Sequence, residues 1–287
     1  MEAKKSGRER FSSRFSFFAA EGLKFLTSLF FSSIMKKNIG KKDTEMKLSD
    51  RISRWIRKEV EKAGAAGIVV GLSGGIDSAV VAALAQKALG DHVLTLILPC
   101  HSLYEDEQDA VLLAEKFGIR CEKIDLSPVY DSFLQILPES GEMCRANLKP
   151  RLRMTALYYY ANKWNYLVAG TGNKSERLMG YFTKHGDGGA DLLPLGDLTK
   201  TQVRKLAGQL GIPSRIIDRP PSAGLWAGQT DEEDLNIRYE ELDKIINCLE
   251  KKKEARLSRA RVGYVKGMIS RSRHKRGTPS VFHLLSV

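Results

Sequence analysis

The chain has 287 residues, of which 43% are hydrophobic and 8% aromatic, and a formal net charge of +12. That composition describes a soluble globular protein of one large domain or two small ones, not a membrane-spanning one. Its four cysteines, Cys100, Cys121, Cys144 and Cys248, form no C-x-x-C and no zinc spacing, which excludes a zinc module and reads as reduced cytosolic thiols.

The charge is unevenly spread. Residues 1–47 carry 11 Lys/Arg against 5 Asp/Glu, and residues 251–287 carry 11 against 1, which leaves the middle of the chain at −4. A mildly acidic body with two basic ends argues for solvated terminal segments and against a nucleic-acid-binding face. Residues 1–46 read either as a weak export or organelle-targeting signal, basic residues followed by an apolar patch without an A-x-A-like cleavage site, or as an extension outside the fold, with translation starting at Met35 or Met46. The patch around Phe25 to Phe31 is too short to span a bilayer. A single domain is expected over 47–287.

Leu48, Ile52, Trp55, Ile56 and Val60 fall at helical spacing and form one apolar face of a first helix, capped by Ser49 or Asp50. The β-branched run Ile68-Val69-Val70 is a strand, and an alanine-rich helix follows over 79–89. A second strand covers 93–98 and ends at Pro99. A helix over 105–117 closes at Gly118, and a third strand runs from about 120 to 124. Residues 147–154 lead into an aromatic-rich helix over 156–164. A fourth strand, 166–169, opens into Gly170-Thr171-Gly172-Asn173. Strands and helices alternate without hairpin signals. The fold class is therefore α/β: a doubly wound, mostly parallel sheet with helices on both faces.

Residues 180–191 are glycine-dense and charged, read as a mobile functional loop that cannot bury itself. A helix over 200–210 is stopped by Gly211 and Pro213. A loop covers 220–226, and Thr230 caps a helix expected to run to about Lys251. The tail 271–279 is basic.

The chemistry centres on Gly71-Leu72-Ser73-Gly74-Gly75-Ile76-Asp77-Ser78, between the first strand and its helix. Gly74 and Gly75 permit a sharp turn close to a ligand. The helix behind offers free N–H groups and partial positive charge, and Ser73 and Ser78 add hydroxyls. Asp77 would repel phosphate unless a Mg²⁺ sits between carboxylate and phosphate oxygens. Glu176 is a second candidate carboxylate for that ion, and Thr171 offers a hydroxyl at a strand end. The run is neither a Walker A loop, since no Lys follows the glycines, nor the G-x-G-x-x-G dinucleotide fingerprint.

The S-G-G-x-D-S run resembles the PP-loop of ATP pyrophosphatases (adenine nucleotide alpha hydrolase-like fold). N-x-K-x-R-x-R-M at 147–154, G-T-G-N-K-S-E at 170–176, the 180–195 segment, P-S-A-G-L-W-x-G-Q-T-D-E at 221–232 and a late H-K-R then follow in the order of ammonia-dependent NAD⁺ synthetases. The resemblance spans residue 48 to the C-terminus. It implies that ATP adenylylates the nicotinate carboxylate of deamido-NAD⁺ and that ammonia displaces AMP to give NAD⁺. It implies ATP contacts at Gly71, Leu72, Ser73, Gly74, Gly75, Ile76, Asp77, Ser78, Thr171, Lys200 and Ser222. Ser222 departs from forms with Thr there but keeps the hydroxyl. Deamido-NAD⁺ contacts are implied at Arg151, Lys184, Asp191, His274 and Lys275. Asp77, Lys184 and Asp191 are the catalytic candidates, with Asp191 a candidate for deprotonating ammonium. Mg²⁺, a homodimer and a cytoplasmic setting are also implied. A tRNA-modifying PP-loop enzyme is the alternative, although its thiolating members need paired cysteines that this chain lacks.

Overall fold

The computed structural model describes residues 46–226, 228–251, 258–282 and 284. The expected extension over 1–46 lies almost wholly outside them. The chain divides into residues 1–51 and residues 52–287, and the described part of the first unit is the short stretch that opens helix α1 (Leu48–Ala63).

Four strands make one sheet in the order β3-β2-β1-β4, all parallel: β1 (Gly67–Gly71), β2 (Val93–Ile97), β3 (Arg120–Lys123) and β4 (Tyr166–Ala169). β1 and β2 are apolar but for Thr95, whose hydroxyl donates to the Arg120 carbonyl at 3.1 Å, and are buried on both faces, as strands covered from both sides must be. Helix α2 (Ile76–Leu89) packs on one face against β1 and β2, and α3 (Tyr104–Phe117) lies beside it against β2 and β3. On the other face Val69, Leu94, Leu96 and Val168 meet α4 (Ser127–Ile136) and α5 (Glu142–Trp164) through Tyr130, Leu148, Leu152 and Leu157. The doubly wound architecture expected from the sequence is thus present.

Helix α6 (Lys174–Met179) and α7 (Lys200–Leu210) follow β4. The short α8 (Ser214–Ile217) and α9 (Asp231–Asp234) come next, then α10 (Tyr239–Lys251), α11 (Arg259–Arg271) and α12 (Arg273–Arg276). A second core forms where Met179 of α6 meets Tyr239, Leu242, Ile245 and Ile246 of α10 and Val265 of α11.

Several boundaries differ from the sequence reading, each for a local reason. α1 buries Ile56 and Val60, but Trp55 is 39% exposed and lies at the rim of the apolar face. α5 begins at Glu142 and carries Pro150 inside it, so residues 147–154 are helix and not an approach to one. Pro150 removes the donor its helix position needs, yet it is buried in contact range of Gly186. α4 has no counterpart in the sequence reading. The helix expected after Thr230 is split by residues 235–238, where Asn236 takes φ 48.

Residues 180–191 also bury part of themselves. Thr183 is 7% exposed, donates to Asn147 Oδ1 at 2.6 Å and receives Asp187 Oδ1 on its N–H at 2.8 Å. Cβ atoms added at Gly186, Gly188 and Gly189 would crowd Thr183, Phe182 and Met154. The glycines here allow close packing within the segment and against Pro150 and Met154 of α5, so the segment does bury part of itself.

Candidate active site

β1 and β4 are neighbours whose chains leave in opposite directions around the sheet. Their carboxyl ends therefore form the switch point at which open α/β sheets bind ligands. The loop after β1 is held by its own hydroxyls. Ser78 Oγ donates to Gly75 O at 2.9 Å and accepts from Ser73 N at 3.2 Å. Ser73 Oγ lies 3.1 Å from Ser78 Oγ and accepts from Gly75 N at 3.3 Å. Gly74 sits at φ 79, and a Cβ there would collide with the Asp106 carbonyl oxygen at the start of α3. Only glycine meets both conditions. Gly75, the N-cap of α2, provides no side-chain cap. The first amides of α2, Ile76 and Asp77 among them, are therefore left for a ligand. Leu72 and Ile76 turn their side chains into the core, at 2% and 7% exposure, and offer the site only backbone. Gly71 ends β1.

The loop after β4 meets this one through Asn173, which is fully buried. Its Oδ1 accepts from Glu176 N at 3.0 Å while Glu176 Oε2 accepts from Asn173 N at 3.3 Å, a capping box that opens α6. Its remaining Nδ2 donates to Asp77 Oδ1 at 3.0 Å. Lys200, first residue of α7, donates from Nζ to Asp77 Oδ2 at 2.6 Å and Glu176 Oε1 at 2.9 Å. The same ammonium lies 4.0 Å from Asp231 Oδ2 and 5.1 Å from the Tyr239 ring centroid. Asp243, itself 2% exposed, anchors α7 by accepting from Thr201 N at 2.8 Å and Ser175 Oγ at 2.5 Å.

The electrostatics follow from burial. Desolvation pushes the Glu176 carboxyl up to about 7 against the pull of Lys200, with Asp77 and Asp231 adding to the rise. Burial works against the Lys200 charge, but Asp77, Glu176 and Asp231 together hold its ammonium above the ordinary lysine range. Burial likewise raises Asp231.

The pair Asp77 and Glu176 suits a hard cation. Both are oxygen donors on either side of the switch point, and their side chains keep 16% and 15% exposure while Lys200 behind them keeps 3%. Among the described residues no cluster of three or more His, Cys, Asp or Glu forms a complete metal cage. Such a short protein ligand set fits Mg²⁺, which takes its other ligands from water and phosphate.

The remaining expected site residues are dispersed. Thr171 is half-buried just past β4. Arg151 is exposed on α5 and donates to the Lys184 carbonyl at 3.4 Å, which brings those two together. Ser222 is exposed and accepts from Gly224 N at 3.1 Å, and His274 is exposed on α12. Lys275 Nζ donates to Gly180 O at 2.5 Å, 4.7 Å from the Phe182 ring, and burial pulls its ammonium down. Asp191 lies beside the end of β4, with Oδ2 accepting from Val168 N at 2.8 Å and Oδ1 from the Tyr158 hydroxyl at 3.0 Å. Burial, then Asp191, pushes that hydroxyl up to about 12. Both oxygens of the proposed ammonium base are thus engaged in holding the fold.

Asn173, Asp231, Tyr239 and Asp243 were not singled out from the sequence. The N-x-x-E spacing of Asn173 and Glu176 was the available signal for the first. The others are joined to the site only by the way α9 and α10 return to it.

A parallel sheet with a glycine-turned, uncapped helix start and facing carboxylates at its switch point defines a nucleotide-binding α/β protein. The chain belongs to the NAD synthase family, whose model matches residues 48–279. A relative from Archaeoglobus fulgidus, an NH(3)-dependent NAD(+) synthetase, is 48% identical over 82% of this chain and 96% of its own length. One of the same description from Methanocaldococcus jannaschii is 47% identical over 80% and 94%. Among solved structures, NMN synthetase from Francisella tularensis superposes with a TM-score of 0.77 at 40% identity, covering 83% of this chain and 98% of that one. NH3-dependent NAD synthetase from Campylobacter jejuni superposes with a TM-score of 0.72 at 28% identity, covering 82% and 97%.

Proposed function

We infer that the protein is an ammonia-dependent NAD⁺ synthetase: a ligase that activates the nicotinate carboxylate of deamido-NAD⁺ with ATP and amidates it. The observation that carries this is the meeting of the β1 loop with Asp77, Glu176 and Lys200 at the switch point, in a chain that matches relatives of that description over nearly the whole of their own length. A carboxylate is a poor electrophile. Its oxygen attacks the α-phosphorus of ATP, the α–β bridge breaks, and pyrophosphate leaves. Ammonia then attacks the acyl-adenylate carbonyl, AMP departs with the C–O bond electrons, and the nitrogen's surplus proton is lost to solvent.

The chain's own groups divide this work. The first amides of α2, with Ser73 and Ser78, hold the departing pyrophosphate. Asp77 and Glu176 would hold Mg²⁺, which when bound offsets charge growing on that leaving group. Lys200 and Asn173 fix both carboxylates. Arg151 and Lys184 face the dinucleotide, with His274 and Lys275 on further segments, while the Thr171 and Ser222 hydroxyls serve ATP. Asp191 is assigned to position the end of β4 beside it. No residue need bond covalently to substrate.

A homodimer is supported by exposed apolar side chains at one helical spacing: Val129, Phe133 and Ile136 of α4 and Leu137 just after it. No helix among the described residues is long and apolar enough to cross a membrane, consistent with a cytoplasmic setting.

The deciding experiment supplies ATP, Mg²⁺ and deamido-NAD⁺ with either ammonium chloride or ammonia-free glutamine. NAD⁺, AMP and pyrophosphate should form in equal amounts with ammonium alone. The Francisella neighbour favours one second reading, amidation of the mononucleotide, so nicotinate mononucleotide is run in parallel. Higher kcat/KM on that acid would replace the dinucleotide as substrate.

A further inference from the structure

Two cations of α5 stand near the carboxyl edge of the sheet without a carboxylate of their own. Lys149 is 9% exposed, and its Nζ donates to the Leu225 carbonyl at 3.0 Å, in the segment that carries Ser222. Arg153, partly buried one turn further on, donates from Nε to Leu98 O at 3.0 Å and from Nη2 to Ser102 Oγ at 3.1 Å. Among the described residues neither is ion-paired with an Asp or Glu, and each donates only to neutral oxygens. Burial pulls both cations below their ordinary ranges, and Arg153 adds to the fall at Lys149. Like charges four residues apart on a helix repel, and a buried charge without a counter-charge is costly. Such a pair calls for a physical reason.

Its position supplies one. Lys149, Arg153 and Leu157 follow one another at intervals of four and share one face of α5. A Cβ added at Gly71, the last residue of β1, would lie 3.5 Å from the Leu157 side chain. Leu72 N then donates to Leu96 O of β2 at 2.9 Å, and Arg153 holds Leu98, two residues further out along that chain. The helix therefore runs on past the end of β1 in the direction of its own N-terminus. At 1.5 Å per residue, Arg153 and Lys149 stand about 6 Å and about 12 Å beyond the level of Gly71, over the crevice into which the β1 loop opens.

We propose that Lys149 and Arg153 form a second anion-binding wall of this crevice, across the sheet edge from the first amides of α2, and that it takes anionic oxygens of the reacting groups: the nucleotide α-phosphate or the substrate carboxylate. The inference rests on the reading of the crevice as the adenylylation site. The departing pyrophosphate is served by α2 and the metal-holding pair, but the two groups that must bond to each other are both negative. Bringing them together costs Coulomb energy, which fixed cations in a partly desolvated wall offset. Lys149 has used one of three N–H donors and Arg153 two of five, so donors remain for a ligand.

The test compares ligands that differ by one negative group. Isothermal titration calorimetry on the full chain gives Kd for AMP against adenosine and for deamido-NAD⁺ against NAD⁺. Wild type should bind the more negative member more tightly in at least one pair. Lys149→Gln keeps a donor for the Leu225 carbonyl and should shrink that gap about tenfold, with the other member's affinity unchanged. Its Tm should hold or rise, because an unpaired buried charge is gone. A smaller gap in the AMP pair assigns the α-phosphate, and one in the deamido-NAD⁺ pair assigns the carboxylate. Lys149→Met repeats the measurement without the donor. Equal affinities within both pairs in wild type, gaps unchanged in both variants, equal losses for all four ligands with a lowered Tm, or loss of the fold in both variants overturns the proposal. Lys149 is then a tie to the Ser222 segment. Failure of the amidation reading shows separately, as absence of NAD⁺ formation with ammonium, and leaves the comparison of AMP with adenosine in force.

Discussion

Around Lys200, each charged group is held by partners on elements anchored to the sheet: Asp77 by Asn173 and Lys200, Glu176 by the same two, and Lys200 by both acids. At the rim, Arg151 has one hydrogen bond at 3.4 Å, and His274 stands exposed. The step assigned to the inner region, phosphoryl activation, needs preorganised charge, since donors that must reorganise at the moment of reaction contribute little. The role assigned to the rim is to recognise a large flexible dinucleotide, and long exposed side chains suit that. Substitutions inside should therefore lower kcat, and substitutions at the rim should raise KM.

The largest effect is expected from Asp77→Asn. The amide keeps the shape and its oxygen can still accept from Lys200, at the cost of the Asn173 bond, where two NH₂ donors would then meet; Glu176 still pairs that ammonium. The fold should survive, with circular dichroism unchanged, while adenylylation falls by about a hundredfold or more. Pyrophosphate release at saturating Mg²⁺ measures it. Near-wild-type turnover would remove Asp77 from the chemistry and break the contrast between the two regions.

Gly74→Ala tests the loop beneath that pair. The substitution imposes φ 79 on a residue with a Cβ and drives that atom into the Asp106 carbonyl. It should cost roughly 2 kcal/mol of stability, read as a lower urea midpoint, and weaken ATP binding because the α2 amides shift. An alanine variant as stable as wild type would mean that this turn is looser than its geometry.

Much of the inner region was legible in the sequence. Strand, S-G-G-x-D-S and helix placed Asp77, because a glycine turn between a strand and a helix has few other uses. The alternation of elements gave the parallel sheet. What was not legible depends on return paths. Lys200 reads as one more phosphate-binding lysine until α7 is seen to carry it behind two carboxylates. Asn173 shows a capping pattern, but nothing in its sequence context says that its free amide reaches residue 77. Pro150 argues against helix locally, yet the structure carries it inside α5. The rim was legible as a set of residue types, yet the sequence could not show that Asp191 spends both oxygens on Val168 and Tyr158.

A smaller effect tests the electrostatics of the inner region. Glu176 titrates near 7 in the folded protein because burial raises it from 4.5. The folded state then holds more protons than the unfolded state across that window, so stability falls as pH rises through it, and the loss is complete above about pH 7. In protein free of metal and nucleotide, the urea midpoint should drop more between about pH 5 and pH 8 in wild type than in Glu176→Gln. Parallel slopes would show that Lys200 dominates and keeps Glu176 ionised throughout.

The smallest structural effect, and the sharpest probe of the rim, is Arg151→Ala. The side chain is exposed and its one bond, to the Lys184 carbonyl, is long, so the stability change should stay within about 0.5 kcal/mol. If the guanidinium faces the dinucleotide, KM for deamido-NAD⁺ should rise about tenfold with KM for ATP nearly unchanged, the loss of one charge-assisted contact. Lys184→Ala should behave alike. Because Arg151 touches the backbone of residue 184, the two changes share a segment, and the double variant should lose less than the product of the singles. Strict additivity would mean that each contacts the substrate independently. A fall in kcat at constant KM would place Arg151 with the inner machinery and dissolve the distinction between the two regions at this residue.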